Sequence, residues 1–197
     1  MNDLHLIVGL GNPGAEYART RHNAGFATVD RLADRWRMDL KYEGRFNARL
    51  ARSEQAGKSV LLCQPQTYMN SSGDAVGPLI NFYRIALERV LVAVDDADLP
   101  LGELRLRPRG SSGGHHGLDS IQQHVGSDSF ARLRIGIGRA AGAREITGYV
   151  LGRFSSTETE LAGKVFVAAS DQAECWLTAG IQKAMSRFNG VVESLKS

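Results

Sequence analysis

The chain has 197 residues, enough for one domain with a sizeable core, and its 43% hydrophobic share is that of a folded protein rather than a disordered one. A net charge of +3 is only mildly basic, and no apolar run is long enough to span a membrane. The two cysteines, Cys63 and Cys175, have no metal-ligand spacing, which argues against a disulfide scaffold and fits a reducing cytoplasm.

Met1 to Val8 lacks a basic start and a small-residue cleavage site, so it reads as a first strand and not a signal peptide. The run Leu4 to Gly9 suits a buried strand, and Gly9 to Gly14 is a turn-forming loop. Asn23 can cap a helix that carries Phe26, Val29, Leu32, Ala33 and Trp36 on one face. Arg45 to Arg52 alternates and Val60 to Cys63 is apolar. The polar stretch Ser53 to Gly57 between them predicts a hairpin. Ser72 can cap a helix bearing Val76, Leu79, Ile80 and Tyr83. Val90 to Val94 is the most strand-like run and ends in Asp95-Asp96. Strands are also predicted at Leu104 to Arg107 and Leu133 to Gly138, with a short helix at Leu118 to Val125 between them. From Thr157 to about Asn189 the pattern is helical, with Ser155 and Glu158 spaced as a capping box and Gly180 dividing two helices.

Strands alternate with helices, without a repeat or linker. This predicts one domain over residues 1–197, a three-layer α/β sandwich with a mixed, mostly parallel twisted sheet flanked by helices. In such sheets ligands bind beyond the carboxyl ends of the strands. Three polar clusters follow predicted strand ends: Asn12 to His22, Asp95 to Asp98, and Ser111 to His116.

Each candidate chemistry competes with a plainer reading. Gly9-x-Gly11-x-x-Gly14 matches a dinucleotide fingerprint, but Pro13 interrupts it and no helix begins inside it. Gly110-x-Ser112-x-Gly114 has the spacing of a nucleophile elbow, but Pro108 breaks the strand that should lead in, so a polar loop fits better. Asp95, Asp96 and Asp98 with His115 and His116 offer metal-ligand types without a known ligand spacing. Arg105, Arg107 and Arg109 share one face of a strand, either as a solvated edge or as a phosphate-binding surface. His22 stands in a polar stretch where it is either an idle surface histidine or, with Asp95 beside it, a base able to take a proton from water.

Several ordered motifs resemble those of the bacterial-type peptidyl-tRNA hydrolases over nearly the whole chain. They are Leu6 to Gly14 with Tyr17, Thr20 to Gly25, Pro65 to Asn70 with Ser72-Gly73, Asp95 to Pro100, Ser112 to Leu118, Arg132 to Gly138, and Tyr149 to Gly152. The resemblance implies hydrolysis of the ester between a peptide and the 3′ end of tRNA, with no metal and no cofactor. It implies that His22 is the catalytic histidine, Asp95 its supporting carboxylate, and Asn12 the residue that helps tell N-blocked from free aminoacyl-tRNA. Tyr17, Tyr68, Met69 and Asn70 would line the place of the substrate's 3′ end. Arg107 and Arg134 would grip the tRNA 5′ phosphate. The family usually has Asn where this chain has His116, which is expected to contact substrate or water. A cytoplasmic monomer with no obligate protein partner completes the expectation. The alternatives are a non-catalytic RNA-binding relative, a dinucleotide-dependent enzyme and a serine esterase built on Ser112.

Overall fold

A computed structural model describes residues 3–139 and 146–192. Eight strands form one mixed sheet in the order β2-β3-β4-β1-β5-β7-β6-β8. The strands are β1 (His5–Gly9), β2 (Lys41–Glu43), β3 (Ala48–Gln55), β4 (Lys58–Pro65), β5 (Val90–Asp96), β6 (Glu103–Arg107), β7 (Ala131–Gly136) and β8 (Gly190–Val191). The central four, β4-β1-β5-β7, are parallel, and antiparallel strands extend both edges. The parallel character of the sheet therefore belongs to its centre.

Burial on both faces explains why β1 and β5 read as unbroken apolar runs. In β1, Ile7 faces one core, while Leu6 and Val8 face the other. In β5, Leu91 and Ala93 face the first, and Val90, Val92 and Val94 the second. The first core lies under α1 (Ala24–Arg35), α5 (Ser156–Ala179) and α6 (Ile181–Phe188). The second lies under α2 (Ser72–Tyr83) and α3 (His116–Val125), and a short α4 (Ile146–Val150) stands beside the strand ends. This is the expected three-layer α/β domain.

The hairpin β3–β4 turns more tightly than predicted, because Ala56 and Gly57 both take positive φ (50° and 74°) and need no longer loop. The capping box at Ser155 and Glu158 forms as read, and Gly180 separates α5 from α6. Two expected caps do not form. Asn23 holds the N-cap position of α1, but its side chain makes no cap bond; the Phe26 N–H is met by the Leu10 carbonyl (3.1 Å). Ser72 lies inside α2 and donates to the Met69 carbonyl (2.8 Å). The short strands β2 and β8 and helix α4 carry too few residues for a period to be read.

Two glycines fix where α1 begins. A Cβ on Gly25 would lie 2.3 Å from the Ala93 carbonyl oxygen and 2.4 Å from the Leu10 nitrogen. One on Gly9 would lie 2.2 Å from the Gly25 oxygen. The first turn of α1 thus rests, backbone on backbone, on the ends of β1 and β5. The 3-10 turn Arg21–Asn23 immediately before it is carried over the carboxyl end of β5.

Candidate active site

The last residues of β5 supply Asp95, 3% exposed, and the turn before α1 supplies His22 above it. His22 Nδ1 lies 2.9 and 3.0 Å from the two Asp95 oxygens. His115, at the N-cap of α3, brings Nε2 to 3.0 Å from Asp95 Oδ1. Its Nδ1 accepts the Leu118 N–H (3.3 Å), so its proton is on Nε2 and it donates to Asp95. A carboxylate only accepts, so His22 likewise presents Nδ1–H to Asp95 and keeps Nε2 for the cleft. Burial alone would raise the Asp95 carboxyl, but the hydrogen bonds and charge of His115 and His22 outweigh it and bring it down to about 2.

Asn12 follows β1 and is locked on three sides. Its N–H donates to Asn23 Oδ1 (2.9 Å), its carbonyl accepts Asn23 Nδ2 (3.0 Å), and its Oδ1 accepts the Met69 N–H (2.7 Å). The bond to Met69 fixes the sense of the Asn12 amide and leaves Nδ2 as the free donor. The Asn23 side chain is withdrawn from capping for this purpose.

These groups open on a cleft of about 310 Å³. His22, Asp95 and Asn12 form its floor; Tyr68, Met69 and Asn70 form one wall; Ile146, Thr147, Val150 and Leu151 form the other. His116, exposed at the start of α3, stands at the rim. Tyr17 is outside the cleft lining but meets Tyr68 edge to face at 6.5 Å.

The two expected phosphate ligands share one face of the sheet. Arg107 pairs with Arg132 across β6 and β7, and Arg105 pairs with Arg134. Arg107 is exposed and away from the cleft. Arg134 lines the cleft but is engaged, donating to the carbonyls of Ser111 (3.0 Å) and Ser112 (2.8 Å) and to Asp96 (3.2 Å). Arg132 is buried beneath the same loop, where its guanidinium donates to the Gly110 and Ser111 carbonyls.

The competing chemistries lose their geometry. Ser112 Oγ accepts the Gly114 N–H (3.1 Å) and has no histidine partner. The glycine loop is followed by turns, and α1 begins only at Ala24. Asp96 and Asp98 pair with Arg134 and Arg139, not with the histidines. His22, Asp95 and His115 offer ligand atoms within 4.8 Å of one another, but both histidines spend those nitrogens as donors to the carboxylate.

Sequence reasoning placed His115 only in a metal cluster and missed its bond to Asp95. The Gly113-Gly114-His115 stretch announces a loop, and nothing in it says that the imidazole turns back toward β5. It also missed the apolar wall from α4, and Arg21. Arg21 is buried and donates to the Arg153 carbonyl (2.6 Å) and Glu158 (2.8 Å), clamping the segment that leads from α4 into α5 against the turn that carries His22.

Among the described residues that line the cleft, an imidazole is held by a buried carboxylate and no serine or cysteine is present, an arrangement of the hydrolytic class of enzymes. The family model described as peptidyl-tRNA hydrolase matches residues 6–196. A peptidyl-tRNA hydrolase of Synechococcus sp. (strain JA-2-3B'a(2-13)) is 48% identical over 94% of this chain and 83% of its own length. One of Geobacillus kaustophilus is 47% identical over 94% of this chain and all of its own. The crystal structure of peptidyl-tRNA hydrolase from Acinetobacter baumannii superposes with a TM-score of 0.89 at 42% identity, covering 97% of each chain. This chain belongs to the peptidyl-tRNA hydrolase family.

Proposed function

We propose that His22 is the general base of peptidyl-tRNA ester hydrolysis. The observation that carries this reading is the His22–Asp95 pair, which assigns Nδ1–H to the carboxylate and leaves Nε2 facing the cleft. Nε2 takes a proton from water as the water oxygen attacks the ester carbonyl. The carbonyl carbon then releases the 3′ oxygen of the tRNA, and the proton passes from His22 to that oxygen. A side chain so placed contributes about 10²- to 10⁴-fold. The free Nδ2 of Asn12 is a donor for developing negative charge or for a peptide carbonyl.

The remaining expected residues take supporting roles. Asn12 and Asn70 pair with a peptide unit, which favours an acylated amino group over a charged one. Tyr17, Tyr68 and Met69 border the place of the 3′ end, and His116 meets substrate or water at the rim. Arg107 and Arg134 contact phosphate, which positions tRNA without reading its bases. General-base catalysis of this kind requires neither metal nor cofactor. Among the described residues no helix is long and apolar enough to cross a membrane, and both cysteines are free and buried. We read the enzyme as a cytoplasmic monomer with no obligate protein partner.

The test gives the purified protein N-acetyl-aminoacyl-tRNA and unblocked aminoacyl-tRNA, with His22→Ala and Ser112→Ala alongside. Turnover of the blocked substrate alone is expected, lost in His22→Ala, kept in Ser112→Ala and unaffected by EDTA. Binding of tRNA without turnover by the wild type would replace this reading with that of an RNA-binding relative. Loss in Ser112→Ala with activity kept in His22→Ala would replace it with a serine esterase.

A further inference from the structure

We propose that Arg19, Arg31 and Arg153 form a second phosphate-binding subsite, on the far side of the segment that carries His22. The three guanidinium-bearing residues line a cavity of about 490 Å³ between α1 and the start of α5. Phe154 and Phe166, edge to face at 6.0 Å, supply an apolar floor, and Thr20, Asn23 and Thr159 add polar groups. Asp and Glu are absent from the lining.

The charges there are uncompensated. Arg21, Arg35, Arg89, Arg134 and Arg139 each have a carboxylate partner. Arg19, Arg31 and Arg153 have no side-chain ion pair or hydrogen bond among the described residues. Four acids on α1 and α5 are committed elsewhere. Glu158 serves Arg21 and the Ser155 N–H, Asp171 and Glu174 serve Arg35, and Asp30 accepts from Gln64 (2.7 Å). Three like charges lining one concavity repel one another, and an anion relieves that repulsion. Guanidinium forks match the oxygens of a phosphate better than those of any other common biological anion except carboxylate. The aromatic floor adds room for the sugar or base that accompanies a phosphate.

The subsite is joined to the cleft on both sides of the catalytic turn. Thr20 and Arg153 form a backbone bridge, and Arg21 and His22 follow directly. Ala18, Asn23 and Ala27 line both this cavity and a neighbouring groove, and that groove reaches Asn12. That groove therefore shares lining residues with the cleft at one end and with the arginine cavity at the other. The ligand is therefore a phosphate group, either a phosphodiester of the RNA substrate or the phosphate of a free nucleotide. The RNA arm rests on the tRNA substrate proposed above; the nucleotide arm does not.

The experiment compares wild type with the triple variant Arg19→Gln/Arg31→Gln/Arg153→Gln, all three positions being exposed and outside the catalytic groups. Three probes are used: full-length N-acetyl-aminoacyl-tRNA, an N-acetyl-aminoacyl ester of a CCA trinucleotide, and AMP measured by calorimetry. If RNA is the source, KM for the full tRNA rises about tenfold and the slope of log KM against log salt falls by roughly one, while the trinucleotide ester is unchanged. If a free nucleotide is the source, AMP binds wild type and not the variant, and tRNA kinetics are unchanged. Unchanged tRNA kinetics with equal AMP binding, or none, overturns the proposal. Hydrolysis of the trinucleotide ester by wild type reports separately on the function reading, so failure of one is not failure of the other.

Discussion

The Arg21 guanidinium lies 4.3 Å from the centre of the Tyr149 ring, with Phe154 on a second side at 5.2 Å. Tyr149 in turn donates its hydroxyl to the Ile137 carbonyl (2.9 Å), just beyond β7. One buried cation thus ties the wall of the cleft, the start of α5 and the turn bearing His22 into a single unit. Its flat, delocalised charge suits a ring face and a carboxylate at once, which an ammonium does not.

Replacing that cation is expected to damage both stability and rate. Arg21→Met takes one of two donors from Glu158 and the side-chain donor from the Arg153 carbonyl, and a loss of about 2–4 kcal/mol is expected by urea denaturation. Arg21→Lys restores charge without the fork. It should recover part of the stability but little of kcat, because the turn carrying His22 is no longer held at two points. Full kcat in Arg21→Lys would show that the clamp does not position the site.

Gly25→Ala should be among the most damaging single changes in the chain. The added methyl meets main-chain atoms of Ala93 and Leu10, which cannot rotate away as a side chain could. A destabilisation of more than about 3 kcal/mol is expected in thermal or urea unfolding. Gly163→Ala, where nothing lies within 4 Å of the new atom, is the control and should be neutral or slightly stabilising.

Asp95 gives a defined pH dependence of stability. Its carboxyl is held at about 2 against an ordinary 3.8, with burial opposed and outweighed by the bonds and charge of His115 and His22. A carboxyl that is lower in the folded than in the unfolded chain contributes stability that is complete above the unfolded value. That contribution drains away as pH falls from 3.8 toward 2, and it is on the order of 2 kcal/mol. Urea midpoints measured between pH 6 and pH 2 should therefore fall more steeply for wild type than for Asp95→Asn. Parallel curves would mean that the carboxylate gains nothing from its two histidines. At neutral pH the same variant should lose about 10²- to 10⁴-fold in kcat, since the amide no longer supplies a charged acceptor for both imidazoles.

His116→Asn should keep activity while altering the acidic limb of the pH–rate profile. An amide both donates and accepts at every pH, whereas an imidazole loses its acceptor when protonated. Superimposable profiles for the two proteins would exclude a role for the His116 ring in the rate.

The parts of the molecule legible in the sequence are those with a local cause. The unbroken apolar runs of β1 and β5 announce burial on both faces, and Ser155 with Glu158 announces a helix start, because each depends on neighbours a few residues away. His22 and Asp95 were legible as a pair through the motifs around them. The His115–Asp95 bond and the Arg21 clamp were not, because each joins residues far apart in the chain through the direction of a side chain. Asn23 shows the limit most plainly. Its type and position fit a cap, yet the backbone of Asn12 takes its side chain while Leu10 meets the helix instead. A competing partner 11 residues away leaves no trace in local pattern.

The sheet order has a consequence in time. His22 and Asp95 are 73 residues apart, and they meet because β1 and β5 are parallel neighbours, with β4 on the other side of β1. Parallel pairing is slow to assemble, since each crossover must close a long loop before it is rewarded. His115 is supplied later in the chain, and the Arg21 clamp waits for Glu158, 137 residues beyond it. A nascent chain that has emerged only through α3 holds both members of the pair but lacks β7 and the clamp. Activity should therefore appear late in synthesis, so that the protein gains the power to cleave peptides from tRNA only when its own sheet is nearly complete.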